Sequence, residues 1–65
     1  MNLGRQPIRI LVVDSQTLFR ESLRPLLEKE PDLQVIADTG DADEVPNLLA
    51  GYHPDILLID ITRLR

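Results

Sequence analysis

A parallel α/β layer is the fold class this sequence predicts, and three observations carry that prediction. Three short runs rich in Ile, Val and Leu punctuate the chain: "IRILVVD" (Ile8 to Asp14), "LQVIAD" (Leu33 to Asp38) and "DILLID" (Asp55 to Asp60). The first and third are apolar on both faces, which marks parallel strands covered by helices above and below. The segments between the runs are long enough for helical crossovers, which in parallel sheets are right-handed.

In the first run, Ile8, Ile10 and Val12 point one way while Leu11 and Val13 point the other. The next stretch, "SQTLFRESLRPLLEKEPD", repeats Phe19, Leu23, Leu26 and Leu27 at helical spacing, with Arg20, Glu21, Arg24 and Glu28 on the other side. Ser15 or Thr17 is suited to cap its start, and the helix ends before Pro31. Pro25 falls inside this helix and removes the hydrogen bond to Glu21, at about 3 kcal/mol or the cost of a kink. The middle run alternates more weakly, with Gln34 exposed, and reads as an edge strand. In "GDADEVPNLLAGYHP", Gly40 turns the chain and Asp41, Asp43 and Glu44 suit the positive end of a short helix. Pro46 is tolerable there only in the first turn, and Gly51 weakens or ends the helix soon afterwards. The result is a βαβαβ unit with a three-stranded parallel sheet.

Ligands of open parallel sheets bind outside the carboxyl ends of the strands, where the strand order reverses. Three strands in the order 2-1-3, as in flavodoxin-like folds, place the first and third side by side. Asp14 and Asp60 then stand at neighbouring strand ends. Two close carboxylates repel unless they share a proton or a cation. A hard ion such as Mg²⁺ suits oxygen ligands, and a carboxylate beside it can act as a phosphoryl acceptor. Aspartate also ends strands simply as a turn former or helix cap, and Asp38 reads that way. No glycines follow the first strand as a dinucleotide fold requires, and no Gly-Lys-Ser or Gly-Lys-Thr of a P-loop occurs.

Composition narrows the class further. Sixty-five residues form one domain, 1–65, of marginal stability, because so short a chain buries only about 60% of its unfolded surface. There is no cysteine, so neither disulfides nor thiolate metal sites arise, and His53 is the sole histidine. The start "MNLGRQP" lacks the apolar core of a signal peptide, and no run approaches the roughly 20 apolar residues of a membrane span. With a net charge of −4 and seven scattered Arg and Lys residues, neither nucleic acid nor a membrane is expected as partner. Hydrophobic content of 43% argues against disorder. The expectation is a soluble, acidic, cytoplasmic unit.

The string "IRILVVDSQTLFRESLRPLLEKEPDLQVIADTGDADEV…LL…HPDILLIDI" resembles the receiver domain of two-component response regulators, most of all the NarL/FixJ, or LuxR-type, group. "LFRESLRPLLEKEPDLQVIA" is similar to that group's first helix and second strand, and "PDILLID" to its third strand. The likeness runs from Ile8 to Asp60. It implies a flavodoxin-like fold, phosphorylation of Asp60 by a sensor histidine kinase, a Mg²⁺ requirement, and a transcription-regulating parent with a downstream helix-turn-helix. Asp60 matches the phosphoacceptor and Asp14 the first of the family's acidic pair at the metal. Thr62 matches the residue whose backbone carbonyl completes the metal shell. Ser15 stands where the second acidic residue belongs, which weakens the site by one negative charge and one strong oxygen donor. Arg63 and Leu64 replace the usual Met-Pro that follows, and Arg63 is near enough in sequence to approach a phosphate. The family's Ser/Thr switch and phosphate-binding Lys would lie beyond Arg65, so the resemblance implies the first half of a receiver.

Three functions follow as expectations. The chain serves a phosphorelay through Asp60; or it is a degenerate receiver that binds a partner without phosphorylation; or, least favoured, it is a metal-dependent phosphotransfer enzyme in its own right. An exposed apolar third strand would also offer an edge for homodimerisation.

Overall fold

The centre of the sheet falls to the most apolar strand. In the computed structural model, which describes residues 6–60, β1 (Ile8–Val13) lies between β2 (Leu33–Thr39) and β3 (Ile56–Ile59), both parallel to it. The order β2-β1-β3 and the alternation of strands with helices are those the sequence predicts. Ile10 through Val13 pair without interruption with Ile56 through Ile59. On the other side the register slips between Ile10 and Leu11: Val35 partners Ile10 and Ala37 partners Leu11, so Ile36 is the extra residue of a bulge. Ile10, Leu11, Val12 and Val13 are all buried, Leu11 completely.

α1 (Thr17–Leu27) packs Leu23 and Leu27 against Ile10, Val12 and Val35, with Leu33 at the margin of the cluster. Leu26, expected on that face, is 60% exposed because it sits about 100° around the axis from Leu27. Phe19 is only half covered. Neither Ser15 nor Thr17 caps the helix with its side chain. Gln16 occupies the cap position, and its main-chain N–H donates to Asp14 Oδ1 at 2.8 Å. Pro25 lies inside α1, as expected. The helix nevertheless continues to Leu27, and two of its polar side chains tie it to β2. Arg24 Nη1 donates to the Val35 carbonyl at 2.8 Å and the Val35 N–H donates to Glu28 Oε2 at 2.9 Å.

After β2, the Asp41 carboxylate accepts the Asp43 N–H at 2.9 Å and starts a 3₁₀ turn, Ala42–Glu44. That turn runs into α2 (Val45–Tyr52), with Pro46 in the first turn where its missing N–H costs nothing. Gly51 lies within α2. The residue that ends the helix is His53, in the left-handed region at φ 49°, its N–H on the Leu49 carbonyl. Arg9 covers the exposed helix end, donating to the His53 carbonyl at 2.6 Å and to that of Tyr52.

β3 departs from the sequence expectation. Its two-sided apolarity predicts burial, yet Ile56, Leu57 and Leu58 are all exposed. Among the described residues β3 pairs with β1 alone in the sheet, and α1 faces it across an open trough.

Candidate functional site

Parallel strands in register deliver their last residues to a common rim. Val13 partners Ile59, so Asp14 and Asp60, each one residue further on, emerge at adjacent strand ends about 4.8 Å apart. Main-chain bonds fix both: Asp60 N–H donates to the Val13 carbonyl at 3.1 Å and Asp14 N–H to the Thr39 carbonyl at 3.0 Å. The two residues that the sequence singled out therefore meet, and both line one notch of about 270 Å³ with Val13, Ser15, Gly40, Asp41 and Ala42. Ser15 is at this rim, as its place in the sequence requires. Thr62, expected to offer its carbonyl, and Arg63 lie outside the described residues.

Asp14 is 8% exposed, and Oδ1 accepts the Gln16 N–H. Thr39, equally buried, ends β2 below the notch; its hydroxyl donates to Glu44 Oε1 and accepts the Asp41 N–H at 3.0 Å. Asp41 supplies the wall that the sequence reading did not assign, since it was read only as a helix-start residue. Its position after β2, at the same end of the sheet as Asp14, was the available signal.

A second apolar trough of about 350 Å³ runs between α1 and β3 beside the rim. Phe19, Leu23, Val12 and Leu58 line it, and Asp14 and Asp60 stand at its mouth.

Asp38 belongs to neither cavity. It forms the centre of an ion cluster: Arg20 Nε donates to Oδ1 at 2.9 Å and Arg24 Nη2 to Oδ2 at 2.8 Å. The Arg24 hydrogen bond lowers its pKa most. Partial burial pushes the other way, and the Arg20 bond and both guanidinium charges lower it further. Arg20 also donates through Nη1 to the Asp14 main-chain carbonyl. Periodicity placed both arginines on the helix side away from the core, but their long stems bring them back to β2.

The implied Mg²⁺ can be tested against the donors present. Three carboxylates and one hydroxyl, from Asp14, Asp41, Asp60 and Ser15, line the notch, and Asp14 and Asp41 each have one oxygen engaged by a main-chain N–H. Among the described residues no group of three or more acidic or histidine side chains is arranged to hold a metal. With a neutral hydroxyl at Ser15 and the Asp14 and Asp41 carboxylates partly engaged, the described donors suit a loosely held Mg²⁺ better than a firm site.

Comparison with known proteins adds an independent line. The chain is 39% identical over 59 residues to the transcriptional regulatory protein DegU of Brevibacillus brevis, covering 91% of this chain and 25% of that protein. It is 35% identical over 54 residues to the transcriptional regulatory protein LiaR of Bacillus subtilis, covering 83% of this chain and 26% of the relative. A protein-glutamate methylesterase/protein-glutamine glutaminase of Nitrosospira multiformis is 39% identical over 54 residues, covering 83% of this chain and 15% of its own length. The chain thus spans between 15% and 26% of the length of these curated relatives. No family model matches it, and no solved structure does so significantly.

Proposed function

We propose that this chain, which belongs to the response-regulator receiver family, accepts a phosphoryl group on Asp60 in a two-component relay. The observation that carries the reading is the shared notch: Asp14 and Asp60 open together at the carboxyl rim of neighbouring parallel strands. A carboxylate oxygen of Asp60 attacks phosphorus, forming an acyl phosphate. The bond from phosphorus to the donor breaks, and the donor leaves with the electron pair, an imidazole nitrogen where the donor is a sensor histidine kinase. No proton is transferred in that step. Phosphorylation adds charge to a rim that already holds Asp14 and Asp41, and that repulsion is a force available to move the β2–α2 turn. The chain acts as an acceptor within the cytoplasm rather than as a free-standing enzyme. Among the described residues no helix is long and apolar enough to cross a membrane.

The donor set favours one second reading, a pseudo-receiver that binds a protein partner without phosphorylation. The bare β3 supports a second copy as one such partner. Incubation of the full chain with acetyl phosphate and Mg²⁺, followed by mass spectrometry, separates the two. Labelling that vanishes in Asp60→Ala supports the acceptor; no label under saturating donor favours the pseudo-receiver. Ser15→Asp adds the missing carboxylate and is expected to raise Mg²⁺ affinity on the order of tenfold. An unchanged titration counts against this rim as the place of the metal.

A further inference from the structure

Arg20 lies outside the lining of the notch, yet it is bonded to Asp14 in its wall. Its guanidinium reaches three ways: Nε to Asp38 Oδ1, Nη1 to the Asp14 main-chain carbonyl, and Nη2 to Thr17 Oγ1 at 3.4 Å. The Asp14 peptide groups are thereby anchored on both sides, by Thr39 through the N–H and by Arg20 through the carbonyl. The carbonyl of residue 14 belongs to the peptide that leads to Gln16, whose N–H holds the Asp14 carboxylate. Rotation of that peptide would move the carboxylate. Gly40 shows how closely the Arg20 guanidinium lies against the β2–α2 turn. A Cβ at that position would stand 2.7 Å from Arg20 Nη1 and 3.5 Å from the Asp14 carbonyl oxygen.

We infer that Arg20 is a positioning residue for the notch: by bridging the Asp38 carboxylate and the Asp14 carbonyl, it fixes where the Asp14 side chain stands opposite Asp60. The inference rests on the phosphoacceptor reading of Asp60. Two close carboxylates repel, so the placement of Asp14 sets the field at the oxygen that attacks phosphorus. Arg24 provides the internal control. It shares Asp38, but its other bond goes to Val35, well below the rim.

The test compares Arg20→Gln, Arg20→Lys, Gly40→Ala and Arg24→Gln in the full ¹⁵N-labelled chain, with two readouts. The first is the Gln16 amide, its proton shift and hydrogen-exchange rate. The second is the rate of Asp60 labelling by acetyl phosphate. Arg20→Lys keeps the charge and loses the planar fork, while Gly40→Ala displaces the guanidinium and keeps both. In these two and in Arg20→Gln, the Gln16 proton should move upfield with about tenfold faster exchange, and labelling should slow about tenfold. Arg24→Gln should stay within about twofold of wild type on both. An unmoved Gln16 signal in Arg20→Gln, wild-type behaviour of Arg20→Lys, or equal effects of Arg20→Gln and Arg24→Gln overturns the inference. A wild-type chain that takes no label while Gln16 responds as described overturns instead the acceptor reading, and with it any role of Arg20 in the reaction.

Discussion

The corner built from β1, β2 and α1 and the flank formed by β3 contain similar side chains in opposite circumstances. In the corner, Ile10, Val12 and Val35 are sealed under Leu23 and Leu27, and the main-chain carbonyl and N–H of Val35 are taken by Arg24 of α1 and by Glu28, which caps it. On the flank, Ile56, Leu57 and Leu58 pair with β1 yet remain exposed. The difference lies in coverage rather than in strand propensity. It also places the notch at a seam, with Asp14 and the Asp41 turn held by the corner and Asp60 carried by the flank.

The sharpest way to break this contrast is a matched pair of truncations. Leu11 and Leu57 are register partners on adjacent strands, but Leu11 is fully buried and Leu57 is 39% exposed. Leu11→Ala should cost about 3 kcal/mol, from lost transfer energy plus a cavity, and in so small a domain it should abolish the cooperative unfolding transition. Leu57→Ala should cost no more than about 1 kcal/mol, since much of its surface is already in water. Urea unfolding followed by circular dichroism reads both. Equal losses would mean that the flank is covered in solution, for example by a second copy, and sedimentation at several concentrations would then show it.

Pro25 asks how much of α1 the corner itself supports. The proline leaves the Glu21 carbonyl without its helical donor, yet the helix extends two residues past it because Leu27 is packed and Arg24 and Glu28 are bonded to β2. Pro25→Ala should restore the bond and raise stability by about 1 to 2 kcal/mol, seen as a higher midpoint in urea. A fall in the midpoint would show that the proline's shape, or its stiffening of the unfolded chain, outweighs the missing bond.

These regions also differ in how far the sequence disclosed them. The strands themselves were legible because they depend on short-range pattern, apolar runs of strand length each closed by aspartate, while their order, and with it the meeting of Asp14 with Asp60, followed from likeness to flavodoxin-like folds. The exposure of β3 was not, since apolarity records what a strand can bury rather than what covers it here. The slip at Ile36 leaves no local signature in a run of Val, Ile and Ala. His53 in the left-handed region was hidden behind Gly51, a residue that ordinarily announces a helix end. The Arg20–Asp38 bond joins residues 18 apart in the chain, and helical periodicity counted both arginines as solvent-facing. Periodicity describes where a Cβ points, and a guanidinium several bonds further on can return to the sheet.

Asp38 offers the finest test of the corner, because its contribution depends on pH with a definite sign. Its folded pKa lies below the ordinary value of 3.8, through the Arg24 hydrogen bond foremost. A depressed acid stabilises the fold above its unfolded pKa, and that stabilisation disappears as pH falls through the lower, folded value. The carboxylate is about one-third exposed, so solvent screening limits the pair of bonds to under about 1 kcal/mol. Asp38→Asn should therefore unfold at slightly lower urea than wild type near neutral pH. The gap should hold above the ordinary carboxyl value of 3.8 and narrow as pH falls below it through the lowered folded value. High salt should narrow it at neutral pH as well. A gap that stays unchanged between neutral pH and the most acidic pH at which the fold survives would mean that Asp38 serves the corner by shape and hydrogen bonding, with its charge contributing nothing measurable.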